Sequence, residues 1–216
     1  MRKNFLISLL LSFQFYLFGS EMQNDIDKAT MIIREFKSIP ERGIPAEILR
    51  NAQGLAILSV VKAGFIFSGK IGSGIVIARN PDGWSAPSAI GTGGAGWGLQ
   101  IGAEVTDFVL VLNTRSAVEA FASGGSLTLG GNVSVAAGPV GRTAEAGIGV
   151  PFAAVYSYSR SQGLFVGVSL EGAVLVEREG VNRDFYGRYV SARELLSGQV
   201  LPPKSARALY KELNSF

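Results

Sequence analysis

The stretch from Gly54 to about Glu179 constrains the fold most. It contains the apolar and β-branched runs LAILSVV, FIF, IVIA, DFVLVL and FAAVYSY, each short and bounded by Gly, Asn, Asp or Pro. Runs of that length between turn residues read as strands. LQIGAEV alternates Leu99, Ile101, Ala103 and Val105, and LTLGGNVSVAA alternates Leu127, Leu129, Val133, Val135 and Ala137, the pattern of half-buried antiparallel strands. The chain carries 28 glycines without a Gly-X-Y period, so glycine here serves turns, bulges and tight packing.

Helical patterns flank this region. From Asn24 to about Lys37, Asn24 is placed to cap, Asp25 and Asp27 suit a first turn, and Ile26, Ala29, Ile33 and Phe36 share a face. Pro40, Gly43 and Pro45 end that helix, and AEILRNA (Ala46 to Ala52) predicts a short second one. SAVEAFA (Ser116 to Ala122) predicts one helical interruption of the strands, and SARELLSG and KSARALYKELNSF return the chain to helix. The expected architecture is α+β: a Gly-rich antiparallel β-sheet or small barrel flanked by N- and C-terminal helices. The length of 216 residues fits one domain over 21–216, preceded by a hydrophobic leader over 1–20.

That leader reads MRKN and then FLISLLLSFQFYLF, apolar from Phe5 to Phe18. As a helix it spans roughly 21 Å, short of the ~30 Å hydrocarbon core. Basic residues, a short apolar run and the small residues Gly19 and Ser20 fit a cleavable signal peptide. A helix lying in the membrane interface or an anchoring start is the alternative.

Composition removes several chemistries. With no histidine and no cysteine, Ser-His-Asp triads, thiolate nucleophiles and His- or Cys-ligated metals are unavailable. No catalytic residue, cofactor or metal ligand is assigned, and the chain is read as not an enzyme. The net charge is +3; Arg2 and Lys3 supply two of it, and Gly172 to Phe216 holds seven Lys/Arg against five Asp/Glu. Nucleic-acid binding needs a more concentrated basic face, so none is expected; a modest basic end suits an anionic membrane surface.

Single motifs reduce to turn chemistry. GTGGAG (Gly91 to Gly96) matches a dinucleotide fingerprint, but an alternating strand follows it where a helix is required. Gly64 to Lys70 resembles a phosphate loop, with Ile71 in place of the Ser/Thr that binds magnesium. Ser169 lacks both the second glycine of a nucleophile elbow and a histidine to activate it. Asn132-Val133-Ser134 is a glycosylation acceptor only in a secreted chain. Arg178, Arg183, Arg188 and Arg193 recur every five residues beside Phe185, Tyr186 and Tyr189, among Glu177, Glu179, Asp184 and Glu194. They form either a secondary basic surface or a solvated mixed-charge one.

Several longer runs, in order, resemble the SYLF domain family of phosphoinositide-binding, actin-associated eukaryotic proteins: NAQGLAILSVVKAGFIFSGKIGSGIVIAR, DGWSAPSAIG, GGSLTLGGNVSVAAGPVGR and SRSQGLFVGVSLEGAVLVERE. The resemblance covers about Ile26 to Phe216. It implies a lipid-binding module recruited to anionic phospholipid (phosphoinositide) membrane in ruffling or endocytic actin remodelling, with actin filaments as a second partner. Animal relatives often append a Src-homology-3 domain, which this stretch does not contain. In similar chains a lysine-rich amphipathic N-terminal helix is implicated in lipid binding. The matching stretch is DIDKATMIIREFK, where Lys28, Arg34 and Lys37 would meet headgroups while Ile26, Ile33 and Phe36 insert. The family implies the cytosolic face of a membrane; a cleaved leader would instead make this an exported lipid-binding protein, as some bacterial relatives are.

Overall fold

The computed structural model describes residues 21–38, 43–139, 152–163 and 173–216. The leader, Pro40 and Ser169 lie outside these residues. Helix α1 covers 21–37 and α2 covers Ala46–Asn51. Strands β1 (Gly54–Asn80), β2 (Gly83–Trp84) and β3 (Ser88–Leu112) follow, then α3 (Arg115–Ala122), β4 (Ser126–Thr128), β5 (Val135–Ala137), β6 (Val155–Gly163) and β7 (Val174–Glu177). The chain closes with α4 (Glu179–Tyr186), α5 (Ala192–Leu196), a 3-10 turn (Lys204–Ala206) and α6 (Arg207–Leu213).

The sheet is built on one long ribbon. β1 pairs antiparallel with β3 from Gly54↔Leu112 to Val76↔Ser88, with a register shift between Phe65 and Phe67. LAILSVV, FIF and IVIA are thus pieces of one continuous strand and LQIGAEV and DFVLVL of another, while FAAVYSY runs into β6. The ribbon doubles back on itself, so the two halves of β1 lie side by side. A Cβ added at Gly74 would overlap the Ile57 carbonyl oxygen, one at Gly54 would lie 2.8 Å from that of Ile77, and the Arg79 N–H donates to the Gln53 carbonyl at 2.8 Å. Only glycine at position 74 permits that approach.

Both halves of β1 also send the same alternate residues to the same side. Leu55, Ile57, Ile75 and Ile77 join one core cluster, while Ala56, Leu58, Val60, Val76 and Ala78 join another. β6 extends the sheet beyond the second half of β3, from Glu104↔Gly163 to Leu112↔Val155. β7 pairs beyond the first half, at Ile90 to Thr92, and β4 pairs with β7. The result is a curled, mixed sheet with helices on both sides, an α+β fold as expected. Its one departure from antiparallel pairing among the described strands is β5 with β6.

α1 and α6 cover the first face through Met22, Ile26, Ile33 and Phe36 against Leu209 and Leu213. α3 covers the second through Ala117, Val118 and Phe121, with Leu196 of α5 beside it. Three local expectations change. α1 already runs through Glu21, so Asn24 sits inside the helix and is not its cap. The alternation from Leu127 to Ala137 breaks at Gly130, whose φ of +82° turns the chain between β4 and β5. Residues 179–186, where no helix was expected, form α4, held by Asn182 as described below.

Candidate functional site

The candidate site is α1 and the cleft at its N-terminal end. Ile26, Ile33 and Phe36, expected to insert into lipid, are buried at 0%, 0% and 4% exposure. Their 3–4 spacing makes an apolar stripe, and that stripe is spent on the sheet. They are unavailable to a bilayer while α1 is seated, so the expected division of labour on this helix does not hold in this conformation. Lys28, Arg34 and Lys37 lie on the outward half of α1, all exposed, with Met31 between them at 57% exposure.

Two of the three cations are engaged by the C-terminal end of the chain. Arg34 Nε donates to Glu212 Oε1 at 2.9 Å, and this bond holds the Glu212 carboxyl below the usual carboxylate range. Lys37 Nζ donates to Ser215 Oγ at 2.6 Å and stands 4.9 Å from the Phe216 ring centroid. These are exposed contacts, screened by solvent and weak enough for a competing anion to replace.

Beneath its first turns α1 is pinned by Arg178, which leaves the series of basic residues to enter the cleft. Its guanidinium donates to Asp25 at 3.0 Å and also pairs with Glu21, while Ser73 Oγ donates to Asp25 at 2.7 Å. Burial raises the Asp25 carboxyl above the usual range; the Ser73 bond and the Arg178 charge pull it back. Glu35 pairs with Arg160 of β6. The surrounding cleft encloses about 660 Å³ between α1, the doubled ribbon and β7.

Carboxylates neighbour two of the remaining members of the basic series. Arg183 sits 3.1 Å from Asp184, Arg188 sits 3.6 Å from Glu194, and Arg193 is exposed on α5. Asn132 is exposed, and its Oδ1 accepts from the Thr128 N–H across the turn.

Sequence reasoning missed Asn182, which is 0% exposed. Its Oδ1 accepts from the Ala89 N–H at 2.8 Å, and its Nδ2 donates to Ser88 Oγ at 3.1 Å and Glu177 Oε1 at 3.0 Å. Glu177 also accepts from the Ala192 N–H, so this network ties β3, β7, α4 and α5 together behind Arg178. An asparagine among charged residues carries no signal of burial in the sequence. The former phosphate-loop and dinucleotide stretches lie within β1 and β3. Among the described residues no cluster of three or more acidic side chains could hold a metal ion, and no helix is long and apolar enough to cross a membrane.

Comparison with known proteins supplies the family. Residues 93–216 match the Ysc84 family, described as "Las17-binding protein actin regulator". An SH3 domain-containing protein of Schizosaccharomyces pombe is 53% identical over 205 residues, 91% of this chain and 48% of its own length. The SH3 domain-containing YSC84-like protein 1 of Homo sapiens is 52% identical over 204 residues, 91% of this chain and 60% of its own. The LAS seventeen-binding protein 3 of Saccharomyces cerevisiae is 47% identical over 203 residues, 90% and 44%. The chain thus spans about half the length of these relatives. With more than half of its residues matched by the family and such identity along nearly all of it, this chain belongs to the Ysc84 (SYLF) family.

Proposed function

We propose that this chain is a non-catalytic adaptor module of actin regulation that attaches to the cytosolic face of anionic, phosphoinositide-bearing membrane through the outward half of α1. The observation that carries this reading is the placement of Lys28, Arg34 and Lys37 around exposed Met31, with the apolar side of the same helix closed against the sheet.

Magnitudes favour docking over insertion. Each basic residue near an anionic surface contributes about 1 kcal/mol, so three give a weak, salt-sensitive attachment. Burying an Ile or Phe contributes roughly 1.5–3 kcal/mol. A bilayer would restore that for Ile26, Ile33 and Phe36 but not for Leu55, Ile57, Ile75 and Ile77, which the departing helix would uncover. That loss is comparable with the whole stability of a domain.

Co-sedimentation with phosphoinositide vesicles at low salt tests the reading. Lys28→Glu, Arg34→Glu and Lys37→Glu together are expected to lower binding at least roughly tenfold, since several kcal/mol of attraction become repulsion. Unchanged binding by this variant, or none by the parent protein, contradicts it. The actin half draws on the family description and on a relative named for binding Las17. Co-sedimentation with filaments in the absence of lipid separates direct actin contact, through the surface around Arg183 and Arg188, from membrane recruitment.

A further inference from the structure

α1 and α6 lie side by side and in step. Arg34 bonds Glu212 and Lys37 bonds Ser215, both across a separation of 178 residues, so the two helices run parallel with their outward sides on one surface. α6 and the 3-10 turn before it send Ala206, Leu209 and Leu213 into the core that also holds α1. Lys204, Arg207 and Lys211, spaced three and four apart, are exposed on the other side. The Glu212 carboxyl, held below the usual range by its Arg34 bond, also lies in the field of Lys37 and Lys211, so cations of both helices converge on one acid. The other acids of these helices are occupied: Glu21 and Asp25 by Arg178, Glu35 by Arg160, while Asp27 accepts from Gln23. Lys28, Lys204, Arg207 and Lys211 make no ion pair among the described residues.

We propose that the outward side of α6 and of the turn before it completes the membrane contact: Lys204, Arg207 and Lys211 meet headgroups of the same anionic bilayer as Lys28, Arg34 and Lys37. This rests on the membrane reading above and extends it to the C-terminal helix. Clusters of about four to eight basic residues mark polybasic contacts with anionic lipid; the cations of α1 alone fall short of that range, and the two helices together reach it. Shape favours a bilayer over an acidic polypeptide. Lys28 and Lys37 lie about 14 Å apart along the helix axis, and neighbouring helix axes stand about 8–10 Å apart. Cations spread over such a two-dimensional area are met together by a continuous anionic plane, whereas an extended peptide follows a line.

Arg207→Gln with Lys211→Gln removes two exposed cations and no core contact. Co-sedimentation at low salt with phosphatidylcholine vesicles carrying phosphatidylinositol bisphosphate should show binding roughly tenfold weaker. Arg115→Gln with Arg193→Gln changes the net charge equally, on helices α3 and α5 that cover the opposite sheet face. That pair should leave binding within about twofold of the parent, since charges more than a Debye length from the lipid are screened. Equal losses for the two pairs, or no loss for Arg207 and Lys211, overturns the proposal. If the triple reversal of Lys28, Arg34 and Lys37 still lowers binding in that case, the membrane reading stands without it; no binding by the parent protein overturns both. A second readout needs no substitution. In amine acylation followed by mass spectrometry, vesicles should protect Lys204 and Lys211 along with Lys28 and Lys37. Protection confined to α1 overturns the proposal, and protection of Lys204 and Lys211 by actin filaments but not by vesicles overturns it in favour of an acidic protein surface.

Discussion

Ile57 and Ile71 sit on the same strand and the same face of the sheet, one 1% exposed and the other 71%. Their side chains are identical, so the difference lies in what covers them: α1 and α6 close over the first, and no described element closes over the second. Burial on a sheet face is decided by the partner layer, and the alternation that identifies a strand is silent about it. The candidate site lies at this border, where the covering helix ends and the apolar surface continues.

Mutations on either side of the border sharpen the contrast. Ile33→Ala, on the seated side of α1, should lower stability by about 2–5 kcal/mol in chemical denaturation. Ile71→Ala should lie within about 0.5 kcal/mol if position 71 is open to solvent. A cost for Ile71→Ala near that of Ile33→Ala would erase the distinction between covered and open face. Arg178→Met comes next. It leaves Asp25, 6% exposed, with Ser73 but without its guanidinium. The expected cost is about 1–3 kcal/mol, with faster hydrogen exchange confined to the first turns of α1. Uniform acceleration along α1 would show that Arg178 is not a local pin.

The fold was legible where composition and period speak directly. Glycine-bounded β-branched runs gave strands, and the 3–4 spacing of Ile26, Ala29, Ile33 and Phe36 gave the helix and its buried stripe. The doubling of the ribbon was not legible, because it depends on a non-local approach of Gly74 to Ile57 that no local pattern encodes. Nor was the parallel placement of β5, which follows a turn inside an apparently continuous alternation. Lys28, Arg34 and Lys37 were legible as exposed cations. The fate of the stripe beneath them was not, since an amphipathic helix reads the same whether it seals a sheet or enters a membrane. Arg178 sat in a periodic basic series, and only the fold shows that it turns inward to Asp25 and Glu21.

In the proposed mode of attachment, α1 meets a membrane with its cations while its apolar side stays in the core. Amide hydrogen exchange of α1, measured with and without phosphoinositide vesicles, tests it most directly. The vesicle-bound protein is expected to keep its protection across residues 26–36 and across β1 beneath them. Loss of protection in both on vesicle binding would show that the helix leaves the sheet and inserts Ile26, Ile33 and Phe36, and would contradict attachment by the cations of a seated α1.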